Sequence, residues 1–304
     1  MEHNNKVLKG ITLAGLASLS WGISGTVLQL ISQNLNVPGP WMFSTRTLAT
    51  GIILLLISAI IYRGQIFNVF KNKKSCISVL TYGIFGLAAN LMTFYYSIQT
   101  GNASTATILQ YLSPLFIVMG SIFIYRKQPL RSDIWSFLLA LLGVLLCITR
   151  GDLTHLAVPT ISLLWGLGSG ITAALYVVLP KNAAKENPPM VVLGWGTMIA
   201  GIFFNCLHPF WVEAPKLTTT LVASVSTVIA LGTILPFIML LYASRHAPSD
   251  VVSIMDALQP ITTTLLSVIF FHLDITVVEI IGILLVLIAI YVLQYGRRTG
   301  IRKR

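Results

Sequence analysis

Charge is what this chain has least of. Asp and Glu together supply nine of its 304 residues, and all charged types only 10%, against roughly 25% in an ordinary soluble domain. So little charge leaves no room for a separate soluble domain. Cysteine is nearly as rare. Cys76, Cys147 and Cys206 lie in apolar segments at spacings that match no metal motif, and three cannot complete a disulfide framework, so they read as small apolar residues. His155, His208, His246 and His272 are scattered at the ends of apolar runs. No inner loop gathers His, Asp and Glu, which argues against an integral-membrane enzyme. No G-x-x-x-x-G-K-[ST] stretch is present to cradle phosphates, which argues against ATP drive by this chain. No metal or cofactor is expected.

What the chain has instead is hydrophobicity. It is 55% apolar with a mean hydropathy of +0.83. Apolar runs recur along its whole length, each long enough to cross a hydrocarbon core of about 30 Å as a helix. The pattern predicts an all-α membrane protein with ten spans, near 10–32, 40–62, 76–97, 102–124, 132–149, 159–180, 189–211, 218–243, 249–271 and 275–295. The first run, Ile11 to Ile31 after Lys6 and Lys9, has the flanks of a signal peptide. It is too long for one and leads directly into further membrane sequence, so it reads as a retained helix.

The net charge of +11 points to topology and not to nucleic acid. With the N-terminus inside, seventeen of the twenty Lys and Arg fall in inner segments, Arg150 and Lys216 fall outside, and Arg46 lies within the second span. That asymmetry follows the positive-inside rule. It predicts a multi-pass protein of the cytoplasmic membrane with both termini cytoplasmic.

Residues 108–116 read ILQYLSPLF and residues 254–262 read IMDALQPIT. The two stretches belong to a longer correspondence between 78–147 and 224–293, offset by 146 positions without a gap. Gly86 falls on Gly232, Tyr96 on Tyr242, Leu112 on Leu258 and Pro114 on Pro260. The chain therefore divides into two five-helix halves, 1–155 and 156–304. Because five is odd, the second half enters the membrane from the opposite side. Inverted repeats of this kind are common in secondary transporters, where the substrate site lies near the midplane between the halves.

Ser20-Trp21-Gly22 in the first helix, Arg46 early in the second, and the proline-ended fourth and ninth helices resemble the drug/metabolite transporter superfamily, EamA type, across essentially the whole chain. The resemblance implies an inner-membrane carrier of small metabolites, often amino acids moved outward, with a central cavity built mainly by helices 1, 3, 4, 6, 8 and 9. Two departures stand out. Ala173-Ala174 occupies the second-half position of Trp-Gly, and Gly196 matches Arg46. The pocket is therefore expected to be asymmetric.

Polar groups inside spans are costly, which makes them candidates for function. Asp256 is the foremost. Ser249, Ser253, Asp256, Gln259 and Thr263 share one helical face. Asp256 could bind a substrate ammonium or a coupling proton, or it could be a carboxylate satisfied by neighbouring hydroxyls and Arg245. Arg46 could bind a substrate carboxylate or hold an outer gate. Equally, it could cap carbonyls or snorkel outward. Depths counted at 1.5 Å per residue leave the two about 11 Å apart along the membrane normal, too far for a direct salt bridge. Gln110 and Asn90 are open between cavity contacts and interhelical hydrogen bonds. Trp21, Phe94, Trp165 and Tyr176 are mid-span aromatics that could stack on a flat or cationic substrate or simply pack, and Trp21 is favoured because it lies in the family motif. Pro114 and Pro260 are either hinges of a rocking motion or static kinks.

The function expected is a secondary transporter of small metabolites, amino acids or related amphipathic compounds, working outward by alternating access. A proton-coupled importer of a small cationic or zwitterionic metabolite on the same fold is the alternative. Its partners are a small-molecule substrate and the lipid bilayer, not nucleic acid, and a homodimer is left open.

Overall fold

The computed structural model describes residues 2–126, 128–152, 155–246 and 255–302, and every regular element among them is helical. Nine helices among the described residues are long and apolar enough to cross a membrane. They are α1 (Leu8–Asn34), α2 (Gly39–Phe70), α3 (Lys73–Thr100), α4 (Ala103–Ile124), α5 (Arg131–Thr149), α6 (Thr160–Glu186), α7 (Pro189–Leu207), α8 (Thr219–Ser244) and, after a shorter apolar helix α9 (Leu258–Phe271), α10 (Val277–Arg297). The predicted start of the ninth span, with Ser249 and Ser253, lies outside the described residues. Helices suit these segments because a bilayer offers no water to hydrogen-bond an open backbone. Prolines mark their starts: Pro38, Pro159 and Pro188 cap α2, α6 and α7, where a missing N–H costs nothing. Ile60, Leu141 and Val277 are among the large apolar side chains left exposed on the outside of the bundle, the surface that lipid would wet.

The helices pair in a definite order. α1 packs against α8 and α9, and α6 packs against α3 and α4. α2 crosses α7, α5 crosses α10, and α9 meets α4. Small residues bring the backbones together, as expected where apolar transfer gives no drive to association. A Cβ placed on Gly51 would come within 2.8 Å of the Met198 backbone, and one on Gly201 within 2.8 Å of the Leu48 backbone, so α2 and α7 cross antiparallel. Gly143 faces Val286 while Gly282 faces Cys147, which makes α5 and α10 antiparallel too. By contrast α1 and α9 run parallel, with Gly15 beside Leu258 and Gly25 beside Thr263. α4 and α6 also run parallel, with Leu109 against Gly166 and Phe116 against Gly170.

Two ion pairs close the ends of the α5–α10 pair. Asp133, fully buried, accepts from the Leu130 N–H at 2.9 Å and from Arg297 Nη2 at 2.7 Å and Nε at 3.0 Å. At the opposite end Glu279 accepts from the Thr276 N–H at 3.1 Å. Its Oε2 lies 3.0 Å from Arg150 Nε, at an angle that makes an ion pair and not a hydrogen bond. Each carboxylate caps the first turn of its own helix and neutralises the arginine that ends the other.

Candidate functional site

Two of the apolar segments are broken at the same place in their sequence. α4 consists of Ala103–Gln110 and Ser113–Tyr125, separated by a turn at Tyr111 and Leu112. α9 follows a turn at Asp256 and Ala257. Pro114 and Pro260 sit in the first turn of the helix after each break, where proline starts a helix instead of kinking one. A broken backbone at membrane depth must be shielded from lipid. The residues before the first break, Ala103 to Leu109, are accordingly all buried, as are Pro260, Thr263, Thr264 and Ser267 after the second.

Each break carries a polar side chain, Gln110 just before the first and Asp256 in the turn of the second, and each meets a serine on a helix that lies far away in sequence. Gln110 Nε2 donates to Ser169 Oγ of α6 at 3.0 Å and to Asn90 Oδ1 of α3 at 3.2 Å. Asn90 Nδ2 donates in turn to the Ser169 carbonyl at 3.0 Å and to Thr172 Oγ1 at 3.2 Å. Thr93 and Thr172 hydroxyls are 3.1 Å apart. This is a neutral, well-satisfied network joining α3, α4 and α6. Asp256 is placed differently. It lies in the turn ahead of α9, half-buried, and accepts from Ser18 Oγ of α1 at 3.3 Å. The helical segments beside the two breaks, Ala103–Gln110 and Leu258–Phe271, pack on one another, so the two breaks approach one another. Below them Ser104 and Thr264 hydroxyls pair at 2.6 Å, and Thr263 Oγ1 donates to the Gln259 carbonyl at 2.9 Å. A carboxylate has about four acceptor positions. With one long hydrogen bond and no ion pair among the described residues, Asp256 keeps most of its capacity for a ligand.

Arg46 stands apart from Asp256, and no ion pair joins them. Its guanidinium reaches from α2 to the seam of α1 and α8. A Cβ on Gly232 would lie 3.0 Å from Arg46 Nη2 and would collide with the Ser24 hydroxyl. The Gly232 carbonyl is taken by Trp21 Nε1 at 3.2 Å. Gly232 belongs to a π-helical turn, Ala230–Ile234, a local widening that is frequent at functional sites and that here brings its carbonyl to the indole.

The other aromatics are dispersed. Trp165 packs on Tyr96 with ring centres 5.2 Å apart, and Tyr176 packs on Tyr82 at 5.3 Å. Phe94 lies against the larger apolar cluster. Gln259 is half-buried next to the closely packed Gly22 of α1. The structure thus brings Asn90 and Gln110 together, sets Asp256 and Gln259 on the facing break, and places Trp21 with Arg46 on the α1–α8 seam. A surface cavity of about 540 Å³, lined by Tyr62, Arg63, Asn68 and Lys71 among others, lies at the end of α2 and contains none of these groups.

Sequence reasoning missed Ser18, Ser24, Ser169 and Thr172. Hydroxyls are common in membrane helices, and only the helix pairing identifies these as partners. It also missed the two ion pairs of α5 and α10. The signal for them was present, because the 146-residue offset carries Leu130 to Thr276 and Asp133 to Glu279.

Apolar helices in this number, with broken helices meeting inside the bundle and polar groups collected around the breaks, define a multi-pass membrane transporter. The model of the EamA-like transporter family matches residues 8–149 and again 160–295, and the chain belongs to that family. It is 28% identical over 297 residues, 97% of this chain and 98% of the other, to an uncharacterized inner membrane transporter of Salmonella typhimurium, YicL. It is 22% identical over 294 residues, 93% of each chain, to YwfM, an uncharacterized transporter of Bacillus subtilis. A crystal structure with a TM-score of 0.61 and 16% identity covers 97% of this chain and 99% of its own, a likeness of fold alone.

Proposed function

We propose that the protein is a secondary transporter that moves small metabolites, amino acids or related amphipathic compounds, outward across the cytoplasmic membrane by alternating access between two inverted five-helix halves, 1–155 and 156–304. The observation that carries this reading is the matched pair of breaks. Gln110 at the α4 break meets Ser169 of α6, and Asp256 at the α9 break meets Ser18 of α1. Adding five to each helix number turns one contact into the other. The same shift converts α1 against α8 and α9 into α6 against α3 and α4, and leaves the α2–α7, α5–α10 and α4–α9 pairs unchanged. The double match of the family model supports the same division. In this reading α9 is the described part of a tenth span, and both termini face the cytoplasm, as the distribution of Lys and Arg favours.

Pseudo-twofold halves can exchange conformations, so a site on their axis opens to one side and then the other. The neutral Gln110 network and the under-satisfied Asp256 put different chemistry on the two sides of that axis, suited to a solute with one polar and one charged end. The isolated carboxylate also favours a second reading, proton-coupled import of a cationic or zwitterionic metabolite, with Asp256 carrying the proton.

Flux in proteoliposomes tests both. Vesicles loaded with individual amino acids, with and without a pH gradient, should show saturable movement that Asp256→Asn reduces. Under proton coupling the wild type accumulates substrate when a gradient is imposed and the Asn variant only equilibrates it. Intact, equally pH-sensitive transport in the variant would remove Asp256 from the mechanism.

A further inference from the structure

Arg46 poses a problem of charge. Its side chain is 9% exposed, and among the described residues it makes no ion pair. Among the described residues no carbonyl accepts from it, so the structural role of a cap, which would make an arginine in this span unremarkable, is not filled. A guanidinium carries five N–H donors and cannot shed its proton, and a buried cation with no anion is penalised by several kcal/mol. Such a group is retained where something else brings the anion.

The surroundings leave its donors uncovered. Position 232 has no side chain, and a Cβ there would collide with the Ser24 hydroxyl and lie 3.0 Å from Arg46 Nη2, so glycine at this point keeps both donors from being capped by α8. Ser24 is 3% exposed and has no hydrogen-bond partner among the described residues, so a second donor is free beside the first. The Gly232 carbonyl, the acceptor that would repel an anion, is engaged by the Trp21 indole N–H. The seam thus holds two free donors, an acceptor already occupied, and an indole as its wall. Of the three elements involved, α1, α2 and α8, α1 also carries the Ser18 that meets Asp256.

We infer that Arg46 and Ser24 bind the carboxylate of the transported solute, which makes this a carrier of carboxylate-bearing metabolites. This rests on the carrier reading above and narrows it. A fork of parallel N–H donors fits a carboxylate in two places at once. A phosphate dianion would leave one negative charge unmatched, since no second cation of the described residues approaches Arg46. Asp256, the interior carboxylate that makes no ion pair among the described residues, balances Arg46 in sign, so a solute with one charge of each kind leaves the occupied interior neutral.

The test works with the substrate still unidentified. Thermal unfolding of the detergent-purified full chain is followed with leucine and phenylalanine, their amides, the amines that lack the carboxylate, and sodium chloride and phosphate as inorganic anions. At least one free carboxylate should raise the midpoint by binding the native state, while its amide and amine do not. Arg46→Gln should keep the unliganded midpoint of the wild type or exceed it, because it removes an uncompensated charge, and should lose the carboxylate shift. Arg46→Lys should retain a weaker one. Loss of a charged hydrogen-bond partner corresponds to roughly 10- to 100-fold in affinity. The inference is overturned if Arg46→Gln keeps the shift, if it lowers the unliganded midpoint by several degrees with the shift unchanged, if amides or amines stabilise as well as the acids, or if only inorganic anions act. Absence of any shift with either acid overturns it too, and leaves the carrier reading to the flux experiment.

Discussion

Removing the charge from Arg297 should expose how much the α5–α10 pair depends on its ion pairs. Asp133 is fully buried and takes two hydrogen bonds from Arg297, at 2.7 and 3.0 Å, plus one from the Leu130 N–H. Deleting one partner of a buried pair typically costs about 3–5 kcal/mol, because the other charge is stranded. Two features reduce that here. Arg297 is 32% exposed, so water can reach the stranded carboxylate, and the Leu130 N–H still solvates it. Arg297→Gln should therefore cost about 2–3 kcal/mol. The double variant Asp133→Asn with Arg297→Gln carries no stranded charge and keeps amide donors and acceptors in place, so it should cost only about 1 kcal/mol. The difference is a coupling energy that a double-mutant cycle reads directly. Reversible unfolding in mixed micelles of increasing SDS fraction supplies the free energies. The reasoning is wrong if the double variant is as unstable as the two single losses added together, because the carboxylate and guanidinium would then contribute independently. Arg150→Gln at the other end, where Glu279 is 11% exposed and the contact is not a good hydrogen bond, should cost less than Arg297→Gln in the same assay.

Two further outcomes follow from the geometry of glycines and of the indole. Gly201→Ala should destabilise the fold by about 1–3 kcal/mol, because its Cβ meets Leu48 backbone that cannot move without separating α2 from α7. Gly120→Ala, with nothing within 4 Å of the new Cβ, should be neutral or slightly stabilising, and equal effects in SDS unfolding would refute the packing argument. Trp21→Phe should cost about 1 kcal/mol through the orphaned Gly232 carbonyl. A larger loss of flux than of stability would show the indole meeting the solute as well as the backbone.

What the sequence made legible depended on the range of the forces involved. Spans are set by bulk transfer from water to hydrocarbon, which acts on each segment by itself, so α1 to α8 and α10 fall close to the expected intervals. The breaks are set by local backbone chemistry plus a tertiary shield, and only the first half of that is written locally. Pro114 and Pro260 were visible. They read as points where a helix kinks or breaks, and the chain turns just before each proline, at Tyr111–Leu112 and at Asp256–Ala257. Asp256 is consequently a turn residue, free to aim its carboxylate at α1. Partner choice was the least legible layer. Ser18 and Ser169 are one hydroxyl among many until the pairing of α1 with α9 and of α6 with α4 is known, and Arg150 and Arg297 read as loop charges until Glu279 and Asp133 are found opposite them. The offset of 146 residues supplies what local reasoning lacks. It maps Leu130 to Thr276 and Asp133 to Glu279, so a cap present in one half predicts its counterpart in the other. Where the halves differ, at Gln110 against Asp256 on the 146-residue offset and at Arg46 against Gly196 on a slightly longer shift, symmetry of packing cannot be the reason for the residue. Those two departures leave a carboxylate and a guanidinium without an ion pair among the described residues, and because they lie about 11 Å apart along the membrane normal, one α-amino acid cannot touch both, so variants at Arg46 and at Asp256 report on separate contacts.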